Sequence, residues 1–362
     1  MKINIVIPYF ARSAPVFNAI ELANFLSQKY DVYLFILSEK NFSTIKLEKN
    51  IIVKNLFKKK FLISKIISLK KHLKENGGKK NNILFSFTIS PDIVSAYLNK
   101  NCYLVSSVRG NLETNYKYSF GVFSKLIFFV HKFHLKKFDT VIAISKSMKD
   151  ILEGYHLKKL IFIGNFINEK SFEKFRSLNF FQDEKKNFLF IGRFVQLKNI
   201  QEIIFVSKEL SKKYKNFRVI IVGDGPIKNK LSNLINKYNL GEIIKIEPYS
   251  TNIQNYINSS DYLIMPSVSE GVSRAVLESL FLGMPCIIRN VDSASELIKH
   301  GTNGFLYADS KQLKKVIENI LDQNYNIEKK PYSLLPIEYQ YSQSLEKFEK
   351  LIDEIKNNLK TD

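Results

Sequence analysis

The chain has 362 residues, 45% hydrophobic and 25% charged, which supplies apolar material for two cores at a charge content ordinary for a soluble protein. Cys102 and Cys286 lie far apart in strand-like runs, which argues against a disulfide framework; no run approaches the roughly 18 unbroken apolar residues of a spanning helix. MKINIVIPYF reads as a first strand and not as a signal peptide, so the chain is expected in the cytoplasm. The formal net charge of +21 is uneven: residues 1–165 carry 27 Lys plus Arg against 10 Asp plus Glu (+17), the rest 28 against 24 (+4). Such a first half asks for an anionic partner, either a membrane surface or nucleic acid, or for none, since Lys, Asn, Ile and Phe are abundant throughout.

In chain order, residues 3–6, 32–37, 83–87, 103–108, 141–144 and 160–163 read as strands. Helix-period apolar residues (Val16, Ala19, Ile20, Ala23, Leu26) follow the first strand, and 92–98, 124–137 and 146–153 read as further helices. The second half repeats the pattern, with strands at 188–191, 218–222, 243–246, 262–265 and 286–288 and helices at 199–212, 227–238 and 272–282. Strand, helix, strand in this alternation predicts an α/β fold of parallel sheets covered on both faces. The polar stretch 165–186 reads as a linker. A last helix, 345–359, has Leu345, Phe348, Leu351, Ile352 and Ile355 on one face, which predicts that this face is buried.

Chemistry is expected where strands end. Pro266 ends the apolar run 262–265, and Ser269-Glu270-Gly271-Val272-Ser273 leads into a helix. A glycine turn followed by free helix N–H groups suits an anion such as a diphosphate. Glu270 and Glu278 beside it suit hydroxyl groups, which donate hydrogen bonds; taken alone, the pair is equally an acidic first turn plus one exposed Glu. Gly192-Arg193 follows another strand, with Lys198-Asn199 at the next helix start. Two cations on one loop can hold a diphosphate without a metal, although alone they read as a solvated basic loop. Gly223-Asp224-Gly225-Pro226 is a tight turn, and Lys228 stands where a dinucleotide fingerprint needs its third glycine. Ser106 to Asn111 ends a strand of the first half, and Ser145 reads as a helix N-cap. No Asp-x-Asp pair occurs and the five His are scattered, so no metal site is expected.

Glu270 and Glu278 stand with seven residues between them, within Pro266-Ser267, Glu270-Gly271, Glu278-Ser279, Gly283-Met284-Pro285, Glu296 and Gly301-Thr302-Asn303-Gly304. This string resembles the retaining glycosyltransferases of the GT-B fold known as glycosyltransferase family four, and Gly192-Arg193, Lys198 and the Gly223–Pro226 turn add to the resemblance. It implies two Rossmann-like doubly wound parallel-sheet domains facing across a cleft: an acceptor domain 1–165, a nucleotide-sugar donor domain 166–340, and a helix 341–362 crossing back to the first. It implies that Arg193, Lys198, Glu270 and Arg109 take part in transfer. Gly192, Gly223, Gly225, Tyr249, Gly271, Val272, Ser273 and Glu278 would bind the donor, Glu278 through its ribose. Asn111, Arg12 and Ser13 would face the acceptor, with Glu113 as a weaker candidate. The family's first loop often carries Gly-Gly; here it is Phe10-Ala11-Arg12-Ser13-Ala14-Pro15, so Arg12 or Ser13-Ala14 would have to replace it.

The implied activity is metal-independent, cofactor-free, retaining transfer of a hexose from a UDP- or GDP-sugar to a carbohydrate acceptor, lipid-linked, in bacterial surface-polysaccharide (O-antigen or capsule) synthesis. The alternative is a non-catalytic binder of nucleotide sugar or anionic polymer on the same fold. A nucleic-acid partner is not expected, since no recognition module occurs. Two stretches mixing Lys with apolar residues, 58–71 and 125–137, suggest docking on an anionic membrane surface at the inner face of the cytoplasmic membrane. The competing expectation is that both cover the sheet with their apolar faces turned inward.

Overall fold

Every apolar run read above becomes a strand of a parallel sheet in the computed structural model, which describes residues 1–10, 13–41, 46–176 and 185–361. The chain divides into two units, Met1–Ile167 with Glu338–Asp362, and Asn168–Ile337.

The first unit holds β1 (Lys2–Phe10), β2 (Asp31–Asn41), β3 (Ile52–Asn55), β4 (Asn82–Phe87), β5 (Tyr103–Val108), β6 (Thr140–Ala143) and β7 (Leu160–Phe162). They form one seven-stranded sheet in the order β3-β2-β1-β4-β5-β6-β7. The pairing is parallel throughout, for example Ile3↔Val32 and Ile3↔Ile83 about β1. Alternate residues serve opposite faces. Ile3, Ile5 and Ile7 of β1 pack with Ala19, Ile20 and Ala23 of the helix Ala14–Leu26, and with Leu345, Phe348, Ile352 and Ile355 of the helix Tyr341–Thr361. Val6 points the other way, into a cluster with Leu69 and Leu73 of the helix Leu62–Glu75, Val94 of Ile89–Ser95, Tyr116 of Leu112–Phe120 and Leu135 of Ser124–Leu135. The sheet is thus a middle layer with one helical layer on each side. The last helix is longer than expected at both ends, and its apolar face lies in the core of the first unit.

The second unit holds β8 (Lys186–Ile191), β9 (Phe217–Val222), β10 (Ile244–Glu247), β11 (Tyr262–Met265), β12 (Cys286–Arg289) and β13 (Gly304–Tyr307). Their order is β10-β9-β8-β11-β12-β13, again parallel. Aromatic rings fill much of its core: Phe188 of β8 stacks on Tyr262 of β11 at 5.9 Å and meets Phe217 of β9 edge-on at 6.5 Å.

Two strands fall outside the sequence expectation. Exposed edge strand β3 shows no buried alternation, and β13 begins inside the Gly301–Gly304 segment. Both cysteines are buried, and desolvation pushes both thiols well above their ordinary pKa. Among the described residues no helix is long and apolar enough to cross a membrane.

Phe348 tests the tie of the last helix to the first unit. Its ring is buried against Phe85 and Phe166 at 6.1 and 6.2 Å. Phe348→Ala should cost about 3–5 kcal/mol, read as a lowered urea midpoint of the transition that reports on the first unit.

Candidate active site

In both sheets the strand order reverses beside the first strand of the unit, between β1 and β4 and between β8 and β11. Loops leaving such a pair at its C-terminal ends diverge and open a crevice, the usual ligand site of doubly wound sheets. In the second unit these two loops carry Arg193, Lys198 and Glu270.

The β8 loop runs from Gly192 through a single helical turn, Gln196–Lys198, to Asn199, which sits at φ 48° before the helix Gln201–Leu210. The β11 loop runs from Pro266 to Ser273, the uncapped N-terminus of the helix Arg274–Phe281. Lys198 Nζ donates to Glu270 Oε2, and Ser267 Oγ donates to the same oxygen at 3.0 Å. The backbones join as well, Val268 N–H donating to Leu197 O at 2.9 Å. The pair is half-buried. A narrow recess beside it is lined by Ser267, Glu270, Ser273, Arg289 and Ser293, among others. Arg193, exposed on the same loop as Lys198, is not part of this pair.

Two further loops brace the site. Asp292, after β12, accepts from Ser269 Oγ at 2.6 Å and from Glu270 N–H at 2.8 Å, while Ser293 Oγ donates to the Gly271 carbonyl. The sequence reading passed over Asp292, whose φ of 45° marks a special turn no pattern announces. On the other side the β9 turn packs on the β8 loop, with Phe194 N–H donating to Asp224 O at 2.8 Å. A Cβ on Gly223 would meet Gly192 O at 2.0 Å, and one on Gly225 would meet Phe194 O at 2.5 Å. Both glycines have positive φ, 150° and 156°. Close approach of two protein loops therefore already accounts for these glycines, which were expected to line the donor pocket.

Val272 and Ser273 are buried at the helix start, and Tyr249 is half exposed beyond β10. Glu278 is buried just over one turn into the helix; Arg274 Nε donates to its Oε1 at 2.7 Å. Burial raises the pKa of Glu278, and Arg274 opposes that rise.

The remaining candidates belong to the first unit. Arg109 packs its guanidinium over Phe87 at 5.0 Å and donates from one terminal nitrogen to Asn165 Oδ1 at 2.7 Å, while its buried Nε has no hydrogen-bond partner among the described residues. Burial lowers its pKa to about 9, which leaves it charged at neutral pH. Asn111 caps the helix Leu112–Phe120, its Oδ1 accepting from Thr114 N–H at 3.2 Å, and Glu113 is exposed. Ser13 precedes the helix Ala14–Leu26 without a side-chain cap, and Arg12 lies outside the described residues. Ser145 caps its helix through Met148 N–H at 3.0 Å. Among the described residues no three His, Cys, Asp or Glu side chains gather as a metal-binding group.

Two buried polar clusters escaped the sequence reading. His131 Nε2 meets Asp92 Oδ2 at 2.8 Å, Ser86 Oγ donates to the other oxygen of Asp92, and Tyr116 OH meets His131 Nδ1. Glu202, on the helix after Lys198, accepts from Arg289, from Ser310 Oγ at 2.8 Å, from Asn199 Nδ2 at 2.9 Å and from Tyr307 OH at 3.4 Å. This buried carboxylate ties the turn that carries Lys198 to β12 and β13. Glu202→Ala would remove the carboxylate that Arg289, Ser310, Asn199 and Tyr307 share, while Arg289 keeps its bond to the Ala308 carbonyl; loss of a buried hydrogen-bonded group costs about 1–3 kcal/mol. The expected result is a lowered melting temperature.

Residues 171–333 match the family model described as "Glycosyl transferases group 1". An uncharacterized glycosyltransferase of Methanocaldococcus jannaschii is 30% identical over 205 residues, 52% of this chain and 48% of that protein. The chain therefore spans about half the length of that relative. The O-antigen biosynthesis glycosyltransferase WclY of Escherichia coli is 23% identical over 366 residues, covering 98% of this chain and 99% of its own. Among solved structures, Anabaena HepE in complex with UDP and glucose superposes with a TM-score of 0.80 at 16% identity, over 98% of this chain and 99% of that one. At that identity the likeness shows the fold, and the fold is GT-B.

Proposed function

We propose that the chain is a retaining GT-B glycosyltransferase of the group whose family model matches residues 171–333, and that it transfers a hexose from a nucleoside diphosphate sugar to a lipid-linked carbohydrate acceptor. The observation that carries the reading is the Lys198–Glu270 pair at the switch point between β8 and β11, with Arg193 on the same loop as Lys198. Cations there neutralise charge that develops on a departing diphosphate, and the uncapped N–H groups after Ser273 add to them.

Lys198 has three N–H donors, so it can keep Glu270 while also serving a phosphate oxygen. The contacts to Glu270 fall on Oε2, and Oε1 is the atom offered to a hydroxyl of the transferred sugar. Glu278 is the acceptor for ribose hydroxyls, which requires it to share its carboxylate with Arg274. In the transfer step the bond from the sugar's anomeric carbon to the diphosphate oxygen breaks. The acceptor hydroxyl bonds to the same carbon on the same face, and its proton passes to the departing phosphate. The WclY and HepE likenesses support a surface polysaccharide as product and a UDP-sugar as donor.

Nucleotide release from radiolabelled UDP- and GDP-sugars, with lipid-linked acceptors present, tests the reading. Arg193→Ala should lower turnover by roughly two to three orders of magnitude, as loss of one preorganised donor does. Its melting temperature should be unchanged, because the side chain is exposed. Near-normal turnover would remove Arg193 from the mechanism.

The charge work assigned to Arg193 and Lys198 is the work a divalent ion performs in metal-dependent transferases, so the proposed reaction needs no metal. Turnover should persist in excess EDTA. Loss that added Mg²⁺ or Mn²⁺ restores would refute this part of the proposal.

A further inference from the structure

The helix Ser124–Leu135 carries apolar residues on its outer side as well as its inner one. Ile127, Phe128 and Leu135 pack on the sheet side, yet Leu126, Phe129 and Phe133 stand outward, 64%, 64% and 61% exposed. The turn before it is more open still, with Val122 90% and Phe123 65% exposed. The helix Leu62–Glu75 belongs to the same layer, since its Leu69 and Leu73 share a core cluster with Tyr116 and Leu135. It too turns apolar residues outward, with Phe61 75% and Ile63 70% exposed. The expectation that these stretches only cover the sheet therefore fails for their outer faces.

Charge distinguishes this layer from the one across the sheet. Residues 58–75 and 112–137 carry twelve Lys (seven and five) against Glu75 and Glu113, a balance of +10. The helix Tyr341–Thr361 of the opposite layer has four Lys against four acidic residues, and its apolar side is buried. A surface that is both apolar and strongly cationic repels a second copy of itself. It matches an anionic bilayer, whose headgroups take the ammonium groups while the hydrocarbon boundary takes the rings.

We propose that the outer face of this layer docks on an anionic lipid bilayer, with the Gly121–Phe123 turn as the part that enters it. This deepens the proposed function by naming the surface through which a lipid-linked acceptor is reached. The helix Leu112–Phe120 leads from Asn111, at the C-terminal edge of the sheet after β5, straight to that turn. That nine-residue helix, about 14 Å long, is the span between the sheet edge and the inserting turn. The Asp92–His131–Tyr116 chain fixes both helices of the hairpin to the sheet, so the turn is presented on a rigid base.

The test is co-flotation of the full chain with vesicles of equal parts phosphatidylglycerol and phosphatidylethanolamine, against vesicles of phosphatidylcholine alone. The wild type should float only with the anionic vesicles and be released as salt rises. A Val122→Glu, Phe123→Glu, Phe129→Glu variant should bind at least about tenfold less, since charged residues replace the inserting rings. Lys58→Glu, Lys59→Glu, Lys60→Glu should weaken binding by about fivefold or more per site. All these positions are exposed, and unchanged melting temperature and UDP affinity would verify that the variants fold. A wild type that stays unbound at low salt overturns the proposal, as does binding that the apolar triple variant leaves intact. A dimer that this variant dissociates would overturn it in favour of a second copy. A wild type that floats but binds no nucleotide supports the docking surface and defeats the transferase reading instead.

Discussion

The second unit depends on how the loops after β8 and β11 are held where the sheet reverses direction. A doubly wound sheet sends its chain outward in both directions from one seam, and the two loops at that seam are pulled apart by construction. Here they are rejoined by Lys198 with Glu270 and by a main-chain hydrogen bond from Val268 to Leu197. The neighbouring loops lean on the same seam, the β9 turn through two glycines that admit no Cβ and the β12 loop through Asp292 and Ser293. A half-buried ion pair contributes little net stability, because desolvation offsets much of the attraction. Its consequence is geometric: four loops hold a cation and a carboxylate in fixed relation before any ligand arrives. That is the condition under which charges stabilise a transition state without reorganising.

The first unit spends its polar groups differently. Asp92, His131 and Tyr116 form a buried chain that secures a helical hairpin, while Arg109 lies folded over Phe87 and bonded to Asn165. Arg109, expected to take part in transfer, and Asn111, expected to face the acceptor, thus also shape their own loop. Asn111 is the clearest case, because its side chain ends a strand segment and starts the helix that leads to the apolar turn.

Much of this was legible in the sequence, for a physical reason. Strands buried on both faces must be continuous apolar runs, so β1, β4, β8 and β11 announce themselves. The edge strand β3 gives no such signal because its side chains are exposed, and the four-residue β13 was absorbed into a glycine turn. Lys198 and Glu270 were found because each lies on the loop that follows such a run. Asp292 was missed because its role rests on a left-handed backbone angle, and Glu202 because a lone helical glutamate looks like a solvated one. His131 and Asp92 meet only through tertiary packing across 39 residues. The outward apolar residues of 124–135 were signalled by the mixture of Lys with apolar residues in 125–137, where Leu126, Phe129 and Phe133 stand at helical spacing.

The last helix has a consequence for how the protein is made. The first unit is assembled from both ends of the chain, with the whole of 168–337 inserted between Ile167 and Glu338. On the ribosome the seven strands of its sheet emerge early, but the apolar surface that awaits Leu345, Phe348 and Ile352 cannot be covered until those residues have been made. At about 5–20 residues per second, roughly 10–40 s separate the seventh strand from that helix. The inserted unit has its own core and can close first, while the first waits half-finished. During that interval it exposes apolar surface on one side of its sheet and a cationic, aromatic layer on the other, so the nascent chain is the form of this protein most in need of a chaperone.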